Sequence, residues 1–176
     1  MREQSRLKQF EQAIFPHLDA AYNLARWLTR NEQDAEDVVQ EAYLRAFKFF
    51  DNFHGDDGRP WLLTIVRNTY YTWWQHEKAR ETTTPLDEAH DSIGNEALNP
   101  EAIFLQNIDN QLLKQALESL PVEFREVLVL RELEGLSYKQ IAHIINIPLG
   151  TAMSRLARAR KRLQLELTNR VLDKEL

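Results

Sequence analysis

Hydrophobic residues recur at steps of three and four along most of the chain, which is the spacing of amphipathic helices. Residues 7–29 show this spacing, and residues 32–50 show it again after Asn31, which caps a predicted helix with Asp34 three positions on. The second stretch predicts one buried stripe, made of Ala35, Val38, Val39, Ala42, Ala46 and Phe49. Because no alternation of period two appears, the sequence predicts an all-α fold.

Glycine and proline mark where further helices begin and end. Residues 51–59 are rich in Gly, Asp and Asn and predict a loop, after which Pro60 suits the first turn of a helix that runs to about residue 79. A later helix is predicted from about 102 to 118. Pro121 then opens another helix, which is expected to end at Gly135.

Between these helical blocks lies a segment of different composition. Residues 81–110 hold seven acidic residues and no Lys or Arg, and residues 81–101 lack sustained periodicity. We predict a flexible acidic linker over residues 81–107 that joins two small helical domains, residues 1–80 and 108–176. The net charge of −5 comes from this segment, because the other residues carry 22 basic and 20 acidic side chains. The acidic total is therefore no argument against nucleic-acid binding.

A helix-turn-helix is predicted near the C-terminus. Ser137 followed by Gln140 forms a capping box that begins a short helix at residue 138. Asn146 falls where a left-handed residue would end that helix, and Pro148 allows the chain to restart as a second helix. Helix, tight turn and helix in this order are typical of a DNA-binding motif.

The second helix of this motif divides into two faces. The inward stripe is predicted to be Ala152, Leu156, Ala159 and Leu163. The outward set combines hydroxyl and guanidinium groups and consists of Thr151, Ser154, Arg155, Arg158 and Arg162. Arg and hydroxyl groups read base edges in the major groove, and positive charge holds phosphates. A solvated basic face is the alternative, but residues 155–162 hold five basic side chains and no acid, whereas solvated faces usually mix signs.

The helix after Pro60 has a candidate nucleic-acid face of its own. Its inward residues are predicted to be Trp61, Leu62, Ile65, Val66, Thr69 and Trp73. Along the other side recur Arg67, Asn68, Tyr71, Gln75 and Lys78. Such a stripe suits single-stranded DNA, because phosphates are neutralised and unstacked bases gain an aromatic surface. The sequence leaves open whether Tyr71 and Trp74 belong to this face or to the core.

An acidic patch on the helix after Asn31 is the third candidate surface. It lies opposite the buried stripe and consists of Asp37, Gln40, Glu41 and Leu44. We interpret this patch as a docking face for a basic protein partner. The alternative is a carboxylate metal site at the helix start, although acids are ordinary in a first turn because they favour the helix dipole.

Catalysis finds no support in the sequence. The five histidines form neither an i, i+4 pair nor an H-E-x-x-H motif, and His54 beside Asp56 and Asp57 is more simply a polar loop. Cysteine is absent, which fits a reducing interior. Neither a long apolar run nor a signal peptide is found in the sequence. We therefore expect a cytoplasmic protein with no catalytic residue, cofactor or metal ion.

Three segments in order resemble the bacterial RNA polymerase sigma factors of the extracytoplasmic-function (ECF) group. DAEDVVQEAYLRAF (34–47) is similar to the segment of that family that binds core polymerase. RPWLLTIVRNTYYTWW (59–74) is similar to its segment for melting and recognising the −10 element. Residues 116–163 are similar to its domain that reads the −35 element. The resemblance covers nearly the whole chain and is more specific than one helix-turn-helix.

The resemblance implies a role for each candidate set. Contacts with core polymerase would come from Asp37, Gln40, Glu41 and Leu44. Single-stranded −10 DNA would meet Phe53, His54, Arg67, Asn68, Tyr71 and Gln75, with Phe53, His54 and Asn68 around a flipped base. Double-stranded −35 DNA would meet Thr151, Ser154, Arg155, Arg158 and Arg162.

The expected function is then that of a promoter-specificity subunit, which is not itself an enzyme and has no small-molecule substrate. The resemblance also implies an anti-sigma partner, often one anchored at the inner membrane, and a role in a stress or envelope response. The alternative is a helix-turn-helix regulator that acts without core polymerase. Such a regulator would protect promoter DNA alone, whereas a sigma factor would need the core enzyme.

Overall fold

The structure is a computed structural model that describes residues 1–81 and 108–175. Every regular element in these two ranges is helical, and neither range contains a β-strand. The first range holds α1 (Arg2–Ile14), α2 (Leu18–Thr29), α3 (Glu32–Lys48) and α4 (Gly58–Glu81). The second holds α5 (Ile108–Ser119), α6 (Val122–Leu128), α7 (Tyr138–Ile145) and α8 (Leu149–Glu175). The predicted all-α fold, with a helix-turn-helix in the second domain, is confirmed.

The start of α3 follows the local chemistry that the sequence predicted. The Asn31 side chain accepts a hydrogen bond from the backbone N–H of Asp34 at 2.9 Å and so caps the helix. Five of the six predicted stripe residues are buried, and these are Ala35, Val38, Val39, Ala42 and Ala46. The prediction for Phe49 was wrong, because α3 ends at Lys48 and the Phe49 backbone leaves the helix, which leaves its ring 47% exposed.

The start of α4 depends on a close approach to α1. Asp57 caps the helix by accepting the backbone N–H of Arg59 at 3.0 Å. A Cβ atom on Gly58 would lie 2.5 Å from the carbonyl oxygen of Ala13, so only glycine fits there without a shift of the backbone. The helix begins two residues before Pro60, and its buried side chains are Leu62, Leu63, Val66, Thr69 and Tyr70.

The turns of the second domain confirm the predicted helix-turn-helix. The Ser137 side chain accepts the backbone N–H of Gln140 at 3.1 Å, and the Gln140 side chain accepts the backbone N–H of Ser137 at 2.9 Å. Asn146 ends α7 in the left-handed conformation at φ 58° and ψ 52°. Gly135 also has a positive φ, of 66°, at the end of the π-helical turn Val129–Leu133 that extends α6.

The long helix α8 packs its predicted stripe inward. Ala152, Leu156 and Ala159 are buried, and Leu163 is half-buried. The predicted helix from about 102 is observed from Ile108 onward. Residues 102–107 and the predicted acidic linker lie outside the described residues.

The two domains pack directly against each other. Helix α4 lies against α7, and α2 lies against α6. Buried side chains of both domains form one connected hydrophobic cluster. The buried guanidinium of Arg125 donates to the backbone carbonyls of Trp27 and Leu28, at 2.6 and 3.1 Å, which are among the last carbonyls of α2. This contact joins the end of a helix in one domain to a helix of the other.

Candidate nucleic-acid and partner interfaces

The outward face of α8 is open to solvent at its start. Four of the five predicted groove residues are exposed, and these are Thr151, Ser154, Arg158 and Arg162. An open depression is lined by Pro148, Gly150, Thr151, Ser154, Ala157 and Arg158. The geometry therefore brings the two hydroxyls and one guanidinium together on one surface. Met153 is 49% exposed on the same turn, and sequence reasoning missed it because a single apolar residue next to a helical stripe gives no signal.

The basic run of α8 is less uniform than its sequence suggests. Arg160 donates two hydrogen bonds to one carboxylate oxygen of Glu132. Arg162 lies 3.7 Å from Glu166 in a loose i, i+4 pair, and Arg158 donates to the backbone carbonyl of Ser154 at 3.4 Å. Arg158 and Arg162 thus stay exposed on the helix surface, whereas Arg160 joins α8 to the turn after α6.

The acidic patch of α3 forms one exposed face. Asp37, Gln40, Glu41 and Leu44 are all exposed, and Leu44 is 63% exposed. Glu41 pairs with Arg45 at 3.2 Å, and Asp37 accepts a hydrogen bond from Gln33 at 3.4 Å, both one turn away on the same helix. An exposed leucine between carboxylates and an amide is suited to contact with another protein.

The loop before α4 holds two predicted residues in different environments. His54 is exposed. The Phe53 ring is half-buried, stacked on Phe50 at 5.8 Å and tilted against Trp61 at 5.2 Å between ring centroids. These ring contacts hold the Phe53 side chain in place, whereas the His54 side chain is exposed to solvent.

The predicted stripe of α4 is divided between solvent and the second domain. Asn68, Gln75 and Lys78 are exposed. Trp74 is 42% exposed with the Lys78 ammonium 4.7 Å from its ring centroid, which assigns Trp74 to the outer surface. Arg67 and Tyr71 are half-buried, with the Arg67 guanidinium 4.6 Å from the centroid of the Tyr71 ring.

The partner of Arg67 is a buried carboxylate of the second domain. Its Nε and Nη2 atoms donate to the two oxygens of Glu126 at 2.9 and 3.2 Å, and the Glu126 side chain is fully buried. Burial raises the pKa of Glu126, and hydrogen bonds from Arg67 and Tyr71 offset part of that rise. Burial likewise raises the pKa of Tyr71.

Sequence reasoning did not single out Glu126, although a signal was present. Helical spacing puts Glu126 on the same face as Val122, Val129 and Leu130, so a carboxylate interrupts an apolar stripe. Arg155, the fifth predicted groove residue, is half-buried, and its charge lowers the pKa of Glu126. Glu126 therefore interacts with two residues of the predicted −10 set, Arg67 and Tyr71, and with Arg155 of the predicted −35 set.

Within the described ranges, no group of three or more His, Asp or Glu side chains is arranged to hold a metal ion. Glu32 and Asp34 lie in the first turn of α3, where acidic side chains favour the helix dipole. No helix among the described residues has the length and apolar character needed to cross a membrane.

Two family matches divide the chain where the structure does. Residues 14–80 match Sigma-70 region 2, and residues 110–163 match Sigma-70, region 4. The chain is 34% identical over 162 residues to the ECF RNA polymerase sigma factor SigE of Mycolicibacterium smegmatis, covering 92% of this chain and 63% of that protein. It is 38% identical over 135 residues to the ECF RNA polymerase sigma-E factor of Escherichia coli K12, covering 73% of this chain and 71% of that protein. The chain thus spans less than two thirds of the mycobacterial relative's length.

Two solved structures share this fold. The sigma factor RpoE in complex with the anti-sigma factor NepR from Bartonella quintana superposes with a TM-score of 0.74 at 29% identity, over 92% of this chain and 98% of that one. CnrH in complex with the cytosolic domain of CnrY gives a TM-score of 0.65 at 23% identity, over 93% and 90% of the two chains, which shows a shared fold.

The paired helical domains, with a helix-turn-helix in the second, define a two-domain sigma factor. The chain belongs to the extracytoplasmic-function RNA polymerase sigma factors. Members of this family are DNA-binding transcription initiation factors and not enzymes, so the expected class is confirmed. A regulator that acts without core polymerase is not favoured.

Proposed function

We propose that this chain is the promoter-specificity subunit that binds core RNA polymerase and directs transcription initiation at −35/−10 promoters. One observation carries the proposal: the exposed basic face at the start of α8, in a chain whose first domain matches sigma region 2. Residues 1–80 would bind core polymerase and the −10 element, residues 108–176 would read the −35 element, and residues 81–107 would link them.

The −35 element would be read by the open side of α8. Thr151, Ser154 and Arg155 lie nearest the helix start, where a helix in the major groove meets base edges. Arg158 and Arg162 follow along the helix and would hold the phosphates of double-stranded DNA.

Core polymerase would dock on α3. Asp37, Gln40, Glu41 and Leu44 form one exposed face of the helix. A basic, partly apolar surface on the polymerase would complement these carboxylates and the 63% exposed leucine.

Single-stranded −10 DNA would contact α4 and the loop before it. The exposed amides of Asn68 and Gln75 would bind base edges, and His54 is exposed in the loop before α4. The proposed site also includes Arg67, whose charge would neutralise a phosphate. The rings of Tyr71 and Phe53 would stack on unpaired bases. Because Arg67 and Tyr71 face Glu126 in this structure, the complete site requires the domains to part.

An anti-sigma protein is the further proposed partner. The Bartonella quintana RpoE was solved with an anti-sigma factor bound, and its chain is similar to this one over nearly its full length. We propose that this chain acts in the cytoplasm, and that an anti-sigma protein at the inner membrane holds it inactive there.

Purified chain and core polymerase test the proposal. The chain should form a stoichiometric complex with core, and the complex should start transcription from a subset of genomic fragments that core alone ignores. Sequencing the RNA 5′ ends then gives the promoter. A chain that protects the same DNA without core, and adds nothing to core-dependent transcription, would be a conventional regulator and would refute the proposal.

A further inference from the structure

The Arg67–Glu126 pair places a residue of the proposed −10 site in contact with the second domain. Two parallel N–H···O bonds, at 2.9 and 3.2 Å, engage both carboxylate oxygens of Glu126. This fork geometry is the one with which Arg also grips phosphate. A guanidinium that gives these donors to Glu126 has fewer left for a DNA phosphate, so the carboxylate and a phosphate would compete for Arg67.

Tyr71 is engaged by the same carboxylate. Its hydroxyl hydrogen-bonds to Glu126, and one face of its ring lies under the Arg67 guanidinium. An unstacked base cannot stack on the ring face that the guanidinium covers. Arg67 and Tyr71 are thus withdrawn together from the α4 stripe, whereas Asn68 and Gln75 remain exposed.

The rest of the interdomain contact fixes the same arrangement. Asn23 donates to the Glu134 side chain at 2.8 Å, and Arg59 donates to the Glu134 backbone carbonyl at 2.8 Å. Apolar burial favours contact between the domains but does not choose its register, whereas directional polar pairs do. Four of the five proposed −35 residues stay out of this contact, because Thr151, Ser154, Arg158 and Arg162 are exposed, whereas Arg155 is half-buried and its charge reaches Glu126.

We propose that the free chain is autoinhibited by Glu126, which occupies Arg67 and Tyr71 in place of −10 DNA and leaves the −35 surface open. The inference rests on the proposed function of α4 as the −10 surface. It predicts a fixed order of DNA contact: the closed chain meets double-stranded DNA through α8, and the single strand binds only after the domains part. Core polymerase would favour the open state if it binds the two domains at separate places.

Two variants, called opening variants here, are designed to separate the domains. One removes a negative charge from the contact between the domains, and the other adds one. Glu126→Gln removes the counter-ion of Arg67, which leaves a half-buried guanidinium without its partner and disfavours the closed state. Asn23→Asp puts a second carboxylate against Glu134, in place of the 2.8 Å hydrogen bond, and so repels the domains while leaving Arg67, Tyr71 and Glu126 unchanged. Glu123→Gln is the matched control, because Glu123 is exposed on the same helix as Glu126.

The first measurement is binding of a fluorescein-labelled single-stranded oligonucleotide of mixed sequence to the full chain. Both opening variants should bind about tenfold more tightly than the parent, because apparent affinity scales with the fraction of open molecules. Glu123→Gln should match the parent. The gain in Asn23→Asp is decisive, since its added negative charge alone would weaken DNA binding. Affinity for a double-stranded probe should change less than about twofold.

The second measurement follows the domains directly. The chain has no cysteine, so Glu36→Cys with Asn169→Cys gives one specific label in each domain at exposed positions. Energy transfer between the labels should fall in both opening variants and not in Glu123→Gln. Circular dichroism checks that each variant is folded, and Asn23→Asp carries the test alone if Glu126→Gln does not fold.

Two results would overturn the autoinhibition. One is opening variants that behave like Glu123→Gln in both measurements. The other is a fall in energy transfer without any gain in single-strand affinity. Failure of the proposed function would give a result distinct from both of these, because the parent chain would not direct core polymerase to any promoter. The energy transfer between the two labels would still report whether Glu126 holds the domains together.

Discussion

Two donors of the Arg160 guanidinium meet the same carboxylate oxygen of Glu132, at 2.9 and 2.7 Å. The hydrogen bond raises the pKa of Arg160 and ties α8 to the π-helical turn that follows α6. One member of the basic run that suggested DNA binding is therefore a structural residue. Arg162, two positions on, has only a loose partner at 3.7 Å.

We predict different effects for the two arginines. Arg160→Ala should lower the free energy of unfolding by about 0.2–1 kcal/mol, because the pair is half exposed, and should leave the salt dependence of duplex binding unchanged. Arg162→Ala should reduce the slope of log K against log salt by about one, because a phosphate contact is lost. Urea unfolding and salt titrations with a labelled duplex measure these quantities. An equal loss of slope in both variants would assign Arg160 to DNA as well.

The α3 face gives a second prediction. Gln40→Ala combined with Leu44→Ala should weaken binding to core polymerase and leave helicity intact, because both side chains are exposed and neither supports the fold. Removing contacts at the centre of an interface costs about 2 kcal/mol or more, which is a loss of about 30-fold. A titration of labelled chain with core measures it.

Leu165→Ala is the matched control for this variant. Leu165 is 54% exposed on α8, close to the 63% of Leu44, so removing either side chain takes away a similar exposed apolar surface. Leu165→Ala should bind core as the parent does. Unchanged affinity of the α3 variant would reject α3 as the docking face.

A third prediction concerns two glycines, Gly58 and Gly150, in the first turns of α4 and α8. Gly58→Ala should destabilise the first domain by about 1–3 kcal/mol, because its Cβ would lie 2.5 Å from the Ala13 carbonyl oxygen. At Gly150 a Cβ would meet no atom within 4 Å, so Gly150→Ala should stabilise α8 by about 0.5–1 kcal/mol. Urea unfolding compares the two. Equal effects would mean that α1 yields to the added methyl group.

Local chemistry explains why much of the fold could be predicted from the sequence. Asn31, Ser137 and Asn146 each act within four residues of their own position, so their caps and turns follow from spacing alone. The exposed faces of α3 and α8 followed from helical periodicity in the same way. Phe49 shows the limit, because one residue past the end of α3 the periodicity no longer sets the direction of a side chain.

The interdomain contacts could not be predicted by these means. Arg67 and Glu126 are 59 positions apart, and periodicity places Arg67 on a solvent face because it sees one helix at a time. The same limit applies to Tyr71, whose surroundings the sequence left open. The second domain covers both, so the α4 stripe that the sequence presents as continuous is divided in the fold.

The fourth prediction uses the pKa of Tyr43. Burial raises the pKa of its hydroxyl to about 12, from an ordinary value near 10. The folded state thus holds this proton more tightly than the unfolded state does. The resulting stability is fully present below pH 10 and is lost as the pH rises to about 12. Tyr43→Phe should remove this part of the alkaline loss, which urea unfolding of both proteins across that range measures.

The same variant should be neutral or slightly stabilising at pH 7. Among the described residues, the buried hydroxyl oxygen of Tyr43 has no hydrogen-bond partner, so phenylalanine relieves an unmet polar group and keeps the ring. The ring packs edge-to-face against Phe10 at 6.4 Å between centroids, and this contact is retained. A clear loss of stability at pH 7 would mean that the hydroxyl is satisfied in solution.

The last prediction separates two roles of Arg155, which is half-buried on the side of α8 proposed to meet DNA and lowers the pKa of Glu126 by its charge. If Arg155 reads a guanine with two hydrogen bonds, Arg155→Ala should cost about 1–3 kcal/mol and relax preference at one −35 position. Arg155→Lys keeps the charge near Glu126 but loses the planar fork, so it should lose that preference too. Holoenzyme binding to promoters with single −35 substitutions measures both variants. A uniform loss across all these promoters would make Arg155 a phosphate contact.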